Sequence, residues 1–89
     1  MISEQDKKIV VDLAKKFNVN EVYLFGSSLE DEKKANDIDL AVKGVAPKSF
    51  FDFYGKLQRY LSKPVDVVNL SKQTKFTWMV EERAVKIYG

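Results

Sequence analysis

The chain has 89 residues, with 15 Lys and Arg against 13 Asp and Glu, and it contains no histidine and no cysteine. This composition excludes histidine- and cysteine-based nucleophile chemistry, zinc fingers, haem and iron–sulfur sites, and it leaves carboxylates with hard metal ions as the main catalytic option. The length predicts one domain over residues 1–89, and a net charge of +2 does not indicate nucleic-acid binding, without excluding it.

The composition is also that of an ordinary globular protein, with 45% hydrophobic and 31% charged residues. No stretch approaches the roughly 20 apolar residues that cross a bilayer. The first residues, MISEQDKKIV, lack the apolar segment of a signal peptide. Together with the absence of cysteine, these features predict a cytoplasmic protein with no membrane partner.

The first half of the chain alternates between helical and strand patterns. Apolar residues recur at helical spacing over residues 3–18, where Ser3 is placed to cap the helix. EVYLF at 21–25 and DIDLAV at 37–42 are rich in strand-forming residues. The polar stretch 27–36 between them predicts a loop with at most one helical turn.

The second half continues the alternation and completes the fold prediction. A helix is expected over 47–62, a strand over 64–70, a helix over 73–82 and a short strand over 84–88. The order α-β-β-α-β-α-β predicts an α/β (α+β) fold with a small mixed sheet that helices cover mainly on one face. In the last helix, the residues expected to face inward are Phe76, Met79 and Val80.

Two aromatic residues lie apart from the predicted apolar stripes of their helices. Phe51 lies off the line of Phe50, Tyr54 and Leu57, and Trp78 lies opposite the inward side expected for its own helix. Either these side chains are buried by a second part of the fold, or they belong to a surface that binds a partner.

Three acidic residues interrupt otherwise apolar strand patterns. Asp37 and Asp39 are two residues apart, so their side chains point to one face of the strand, and Asp66 has a similar setting in VDVVNL. If the two strands are neighbours, the three carboxylates converge and need a compensating cation such as Mg²⁺. Two such ions can support phosphoryl transfer. Acids alternating with apolar residues are, however, also typical of a strand that faces solvent.

Glycine and two serines follow the first predicted strand. Gly26 allows a close approach of the backbone, and the N–H groups and hydroxyls of Ser27 and Ser28 can surround phosphate oxygens. Taken alone, a Gly-Ser pair predicts a turn. With the acidic pair beginning ten residues after Ser27, it indicates a phosphate cradle that faces a metal site.

These segments resemble a known family. LFGSSLEDEKKANDIDLAV, with VDVVNL and the closing VKIYG, is similar to the Gly-Ser and Asp-x-Asp signature of the DNA polymerase β-type nucleotidyltransferase superfamily, and the small size resembles its minimal branch. The resemblance implies a nucleotidyltransferase-like fold and an enzyme of the EC 2.7.7 type. It also implies that Gly26, Ser27 and Ser28 bind ATP or another nucleoside triphosphate.

The same resemblance implies roles for the carboxylates. Asp37, Asp39 and Asp66 would be the catalytic and metal-binding residues for two Mg²⁺ ions. Asp66 would in addition receive or orient the proton of the attacking hydroxyl. An acceptor hydroxyl would attack the α-phosphate of the bound nucleotide, and pyrophosphate would leave.

The loop departs from the family pattern at one point that concerns charge. Members of the branch often carry an arginine after Gly-Ser and a second glycine in the following loop, and in this chain those places are Ser28, Leu29 and Glu30. Lysines elsewhere are the candidate substitutes that would neutralise a triphosphate: Lys33, Lys34 and Lys72.

The minimal branch also implies a partner. Its members often pair with a HEPN-domain protein, frequently a toxin, for which the nucleotidyltransferase is the antitoxin, and some transfer adenylyl groups to a tyrosine. The implied function is therefore transfer of AMP from ATP to a hydroxyl of a HEPN-domain partner. Two alternatives remain: a non-catalytic antitoxin that covers its partner, and a nucleotidyltransferase acting on RNA or a small molecule. The sequence leaves homo-oligomers open.

Overall fold

The computed structural model describes residues 2–31 and 33–89, and in these residues the chain forms a four-stranded sheet and three α-helices. In chain order they are α1 (Glu4–Lys16), β1 (Glu21–Leu24), β2 (Ile38–Lys43), α2 (Pro47–Tyr60), β3 (Val65–Asn69), α3 (Lys75–Arg83) and β4 (Val85–Tyr88). A short 3-10 helix, Gly26–Leu29, follows β1. Glu32, in the predicted loop, lies outside the described residues. No helix in the described residues is long and apolar enough to span a membrane.

The sheet has the strand order β3-β2-β1-β4. Strand β1 is antiparallel to both β2 and β4, whereas β2 and β3 are parallel. A parallel neighbour requires a crossover connection, and α2 provides it between β2 and β3. The predicted element order and the predicted mixed sheet are both confirmed.

The main core lies between one face of the sheet and the helices α1 and α2. Strand β2 places alternate residues on this face, because successive side chains of a strand point to opposite sides. Helix α2 packs on it with Phe53 and Leu57, which are fully buried. The buried residues of this core include Val10, Ala14, Val22, Leu24, Ile38, Leu40, Val42 and Val65.

Helix α3 covers part of the opposite face. It begins after Thr74, whose side chain accepts a hydrogen bond from the Thr77 N–H, while the Thr77 hydroxyl accepts one from the Thr74 N–H. This reciprocal cap fixes the start of the helix. One turn later, Val80 packs against Ala41 and Leu70 in a small second cluster.

The expected inward face of α3 is therefore wrong in two of its three positions. Val80 is buried as expected, but Phe76 and Met79 are 58% and 57% exposed. The reason is the cap: Thr77 is buried because its hydroxyl also donates to the Lys72 carbonyl oxygen at 2.7 Å. Thr77 and Val80, three residues apart, form the inward line, and Phe76 and Met79 lie along the exposed edge.

The two aromatic residues that the sequence left open are outside the core. Phe51 is 80% exposed and Trp78 is 57% exposed. Neither side chain is buried by a second part of this chain, so the explanation by intramolecular burial is wrong. The alternative, a surface that binds a partner, stays a prediction.

Candidate functional site

Two of the three predicted carboxylates are neighbours. In the parallel pair of β2 and β3, Asp39 lies opposite Asp66. Because Ile38 and Leu40 are buried against the helices, Asp39 points to the opposite face of the sheet. Asp39 is half-buried and Asp66 is exposed. Both residues lie near the start of their strands, so one end of this face carries two adjacent acids.

Asp37 has a different environment. It immediately precedes β2 and is exposed, and the hydroxyl of Ser27 donates to its backbone oxygen at 3.3 Å rather than to its carboxylate. Within residues 2–31 and 33–89, no group of three acidic side chains is arranged to hold a metal ion. The participation of Asp37 in a metal site therefore stays a prediction.

The Gly-Ser loop is fixed to Asp39 by hydrogen bonds. The backbone N–H and the hydroxyl of Ser27 both donate to Oδ2 of Asp39, at 3.0 and 2.8 Å. The Asp39 N–H donates to the Ser28 hydroxyl oxygen at 2.6 Å, and Ser28 is buried. In this conformation Ser28 links the loop to β2. Its predicted contact with a nucleotide stays a prediction, as does that of Ser27.

Gly26 is the residue that lets the loop lie this close to the carboxylate. Its φ is +56°, in the left-handed region that side chains other than glycine rarely adopt. A Cβ atom at this position would lie 2.7 Å from Oδ2 of Asp39. Both the backbone conformation and the space therefore require glycine here.

The donor set at this end of the sheet suits a hard cation. Asp39 and Asp66 offer carboxylate oxygens from two adjacent strands, and Mg²⁺ is bound in proteins by one or two carboxylates of this kind. The buried residues on either side of Asp39 hold its backbone in place. If a divalent cation binds here, Asp39 and Asp66 are the residues placed to hold it.

A groove lies beside the Gly-Ser loop. Neither the periodicity nor the composition of the sequence indicates it. It has a volume of about 230 Å³ and is lined by Phe25, Gly26, Phe76, Met79, Val80 and Arg83. In sequence, Arg83 resembles an ordinary basic residue in the last turn of a helix, where it complements the helix dipole. Arg83 lies next to Gly26 because β4 pairs with β1.

The lysines that were candidates to neutralise a triphosphate do not line the groove beside the Gly-Ser loop. Lys72 lines a separate groove, together with Pro47 and Phe50 at the other end of β3. Lys33 and Lys34 are exposed in the loop before β2. A role of these lysines toward a triphosphate stays a prediction.

The far end of the same sheet face carries a second polar group. The Tyr23 hydroxyl donates to the Glu21 carboxylate, which lowers the pKa of Glu21 and raises the pKa of Tyr23. Lys43 forms an ion pair with Glu81, and this contact raises the pKa of Lys43. Glu21 and Lys43 pair at the end of β1 and β2 that is opposite to Asp39, so the face carries two distinct polar regions.

Sequence comparison identifies the family. A family model described as "Polymerase beta, Nucleotidyltransferase" matches residues 7–89. The chain belongs to the polymerase β nucleotidyltransferase family. The match covers the Gly-Ser loop and all three predicted carboxylates, so the family membership expected from the sequence is confirmed. No curated protein matches the sequence.

Solved structures show the same nucleotidyltransferase fold. A crystal structure of the toxin–antitoxin MntA–HepT matches with a TM-score of 0.73 and 19% identity, covering 98% of this chain and 73% of that one. A toxin–antitoxin structure with AMP-PNP matches with a TM-score of 0.71 and 21% identity, over 93% and 73% of the two chains. A complex of a tri-AMPylated Shewanella oneidensis HEPN toxin with MNT antitoxin matches with a TM-score of 0.71 and 20% identity, covering 94% of this chain and 70% of that one.

Proposed function

We propose that this protein transfers AMP from ATP to a hydroxyl group of a HEPN-domain partner and thereby acts as the antitoxin of a toxin–antitoxin pair. The observation that carries the proposal is the contact between the Ser27 loop and Asp39, with Asp66 opposite Asp39 in the sheet. Family membership supports nucleotidyl transfer. The similar toxin–antitoxin complexes, one of which contains an AMPylated toxin, support the partner and the transferred group.

In the proposed reaction the loop binds the phosphates. Gly26 leaves the backbone without a side chain beside the carboxylates, so phosphate oxygens can approach. The Ser27 hydroxyl, which donates to Asp39, exchanges this acceptor for a phosphate oxygen when the nucleotide binds. Ser28 holds the loop against β2 through the Asp39 N–H. The phosphates thus lie next to Asp39 and Asp66.

The chemical step is an in-line displacement at the α-phosphorus. The acceptor oxygen forms a bond to this phosphorus, the bond to the oxygen that bridges to the β-phosphate breaks, and pyrophosphate leaves. Asp39 and Asp66, with Asp37 as a third ligand, would hold divalent cations, and Mg²⁺ bound there would supply positive charge that stabilises the transition state. Since the chain has no histidine, the Asp66 carboxylate takes the acceptor proton.

The test uses ATP labelled at the α-phosphate, Mg²⁺ and a purified HEPN-domain partner. We expect label on the partner with the unsubstituted chain and none with Asp39→Asn or Asp66→Asn. Asp52→Asn is the matched control, because Asp52 is an exposed acid on α2 outside the site. Circular dichroism checks that each variant is folded. Absence of transfer from any nucleotide by the unsubstituted chain would contradict the proposal.

A second candidate function is neutralisation by binding alone. The exposed aromatic side chains Phe51 and Trp78 favour it, because aromatic residues are frequent anchors of protein interfaces. In this case neutralisation of the toxin should survive Asp39→Asn and should fail after Trp78→Glu. If AMP transfer is the mechanism, Asp39→Asn abolishes neutralisation even though the partner is still bound.

A further inference from the structure

Arg83 lies at the same end of the sheet as the two carboxylates. Val85, the first residue of β4, pairs with Leu24, the last residue of β1. Gly26 comes two residues after Leu24, and Arg83 comes two residues before Val85. Because the two strands are antiparallel, both residues lie at the same end of the sheet. This is why Arg83 and Gly26 line the same groove.

The order of groups across this end of the sheet separates opposite charges. Asp66 and Asp39 are adjacent on β3 and β2, and the Phe25 N–H donates to the Asp39 carbonyl oxygen at 3.2 Å, which places the Gly26 loop next. Arg83 follows on the far side of the loop. The loop therefore has carboxylates on one side and a guanidinium group on the other.

Both groups face the same side of the sheet. Phe25 and Val80, which line the groove with Arg83, belong to the cluster around Ala41 on the α3 side of the sheet. Asp39 lies on the same side as Ala41, because the two are two residues apart on β2. Lys43, on the same face, forms an ion pair with Glu81, whereas Arg83 forms none with a carboxylate among residues 2–31 and 33–89.

We propose that Arg83 contacts the polyphosphate of the nucleotide in the reaction proposed above, from the side of the loop opposite the carboxylates. The inference rests on that proposed function. A nucleoside triphosphate beside Asp39 and Asp66 adds like charge to an acidic surface, and it needs cations besides those that the carboxylates hold. The planar guanidinium of Arg83 can donate two hydrogen bonds to one phosphate. The groove leaves it open to solvent for this contact.

The chain offers a matched control for the charge and helix position of Arg83. Its other arginine, Arg59, also lies in the last turn of a helix, where it complements the dipole of α2. Arg59 stacks on Tyr60 and does not line the groove beside Gly26. Arg59→Gln therefore removes the same charge from an equivalent helix position without touching the loop.

The experiment measures ATP binding to the full chain by isothermal titration calorimetry in the presence of Mg²⁺. We expect Arg83→Gln to weaken ATP binding about tenfold or more, as expected for loss of a charge-assisted contact with phosphate. Arg83→Lys should fall between this variant and the unsubstituted chain, since it keeps the charge and loses the fork. Arg59→Gln should bind ATP as the unsubstituted chain does. Thermal unfolding checks that the variants remain folded.

Two further measurements decide between outcomes. Inorganic tripolyphosphate should compete with ATP for the unsubstituted chain, and its binding should weaken in Arg83→Gln as much as that of ATP. Equal ATP affinity of Arg83→Gln and Arg59→Gln, with AMP transfer intact, would overturn the role of Arg83 and leave the proposed function standing. Failure of the unsubstituted chain to bind ATP at all would overturn both.

Discussion

The two faces of the sheet are built from the same strands but differ in cover and charge. On the helix-covered face, β2 presents Ile38 and Leu40, which are buried against α1 and α2. On the other face the same strand presents Asp39, Ala41 and Lys43, and of these only Ala41 is fully buried, under α3.

This difference shows how a small chain combines stability with a charged site. Moving a carboxylate into an apolar core without a partner is strongly unfavourable, so the acids belong on the less covered face. Their backbone is nevertheless held by the apolar residues that alternate with them. Substitutions on the covered face should therefore alter the free energy of unfolding, and substitutions on the open face should mainly alter the site.

The largest effect is expected on the covered face. Phe53→Ala should lower the free energy of unfolding by about 3–5 kcal/mol, because it removes a fully buried ring and leaves a cavity in the main core. Phe51→Ala, two residues earlier on the same helix, should change it by less than about 0.5 kcal/mol, since Phe51 is exposed. Urea unfolding measures both. Similar losses in the two variants would mean that α2 does not pack as described.

The next effect separates backbone requirements on the open face from those in a helix. Gly26→Ala should lower the free energy of unfolding by about 1–2 kcal/mol from its left-handed φ, and more from the contact with Asp39. Gly55→Ala, within α2, should raise it by about 0.5–1 kcal/mol, because no atom lies within 4 Å of the added Cβ.

The sign of the change is the observation that counts in this pair. The double variant Gly26→Ala/Asp39→Ala should recover the part of the free energy of unfolding that Gly26→Ala loses through contact with the carboxylate. The part that is lost because alanine disfavours the left-handed φ should remain lost. If Gly26→Ala stabilises the chain as Gly55→Ala does, the loop is not fixed against Asp39.

How much of this site follows from sequence depends on the range of the forces that build it. The face of Asp39 follows from strand alternation with the apolar residues beside it, which is a local pattern. Its neighbour Asp66 needed the assumption that the two strands pair, and the register of β2 with β3 bears this out.

Two features of α3 could not be read in the same way. The apolar pattern of Phe76, Met79 and Val80 does not contain the information that Thr77 is turned inward by its cap and by the Lys72 carbonyl oxygen. The position of Arg83 beside Gly26 depends on the pairing of β4 with β1, a contact between residues distant in sequence.

A smaller effect tests whether the two acids on the open face repel each other. In the absence of divalent cations, Asp66→Asn should raise the free energy of unfolding by up to about 1 kcal/mol, because it removes a like charge directly opposite Asp39. Asp52→Asn should have almost no effect. Mg²⁺ should raise the melting temperature of the unsubstituted chain more than that of Asp66→Asn. A destabilised Asp66→Asn variant, or no response to Mg²⁺, would contradict the pairing of these acids in a metal site.

The smallest effect concerns the far end of the open face and its dependence on pH. The hydrogen bond from Tyr23, followed by the charges of Lys86 and Lys43, lowers the pKa of Glu21 below its ordinary value of 4.5. A carboxyl whose pKa is lowered by folding adds stability above the unfolded pKa, and this contribution is lost as the pH falls through the folded pKa. Tyr23→Phe should therefore bring the pKa of Glu21 toward 4.5, and its destabilisation should be largest near neutral pH and vanish in acid. Carboxyl titration by NMR measures the shift, with Tyr60→Phe as the control because Tyr60 lies on α2. An unchanged pKa of Glu21 in Tyr23→Phe would show that the lysines, and not the hydroxyl, set the charge of this region.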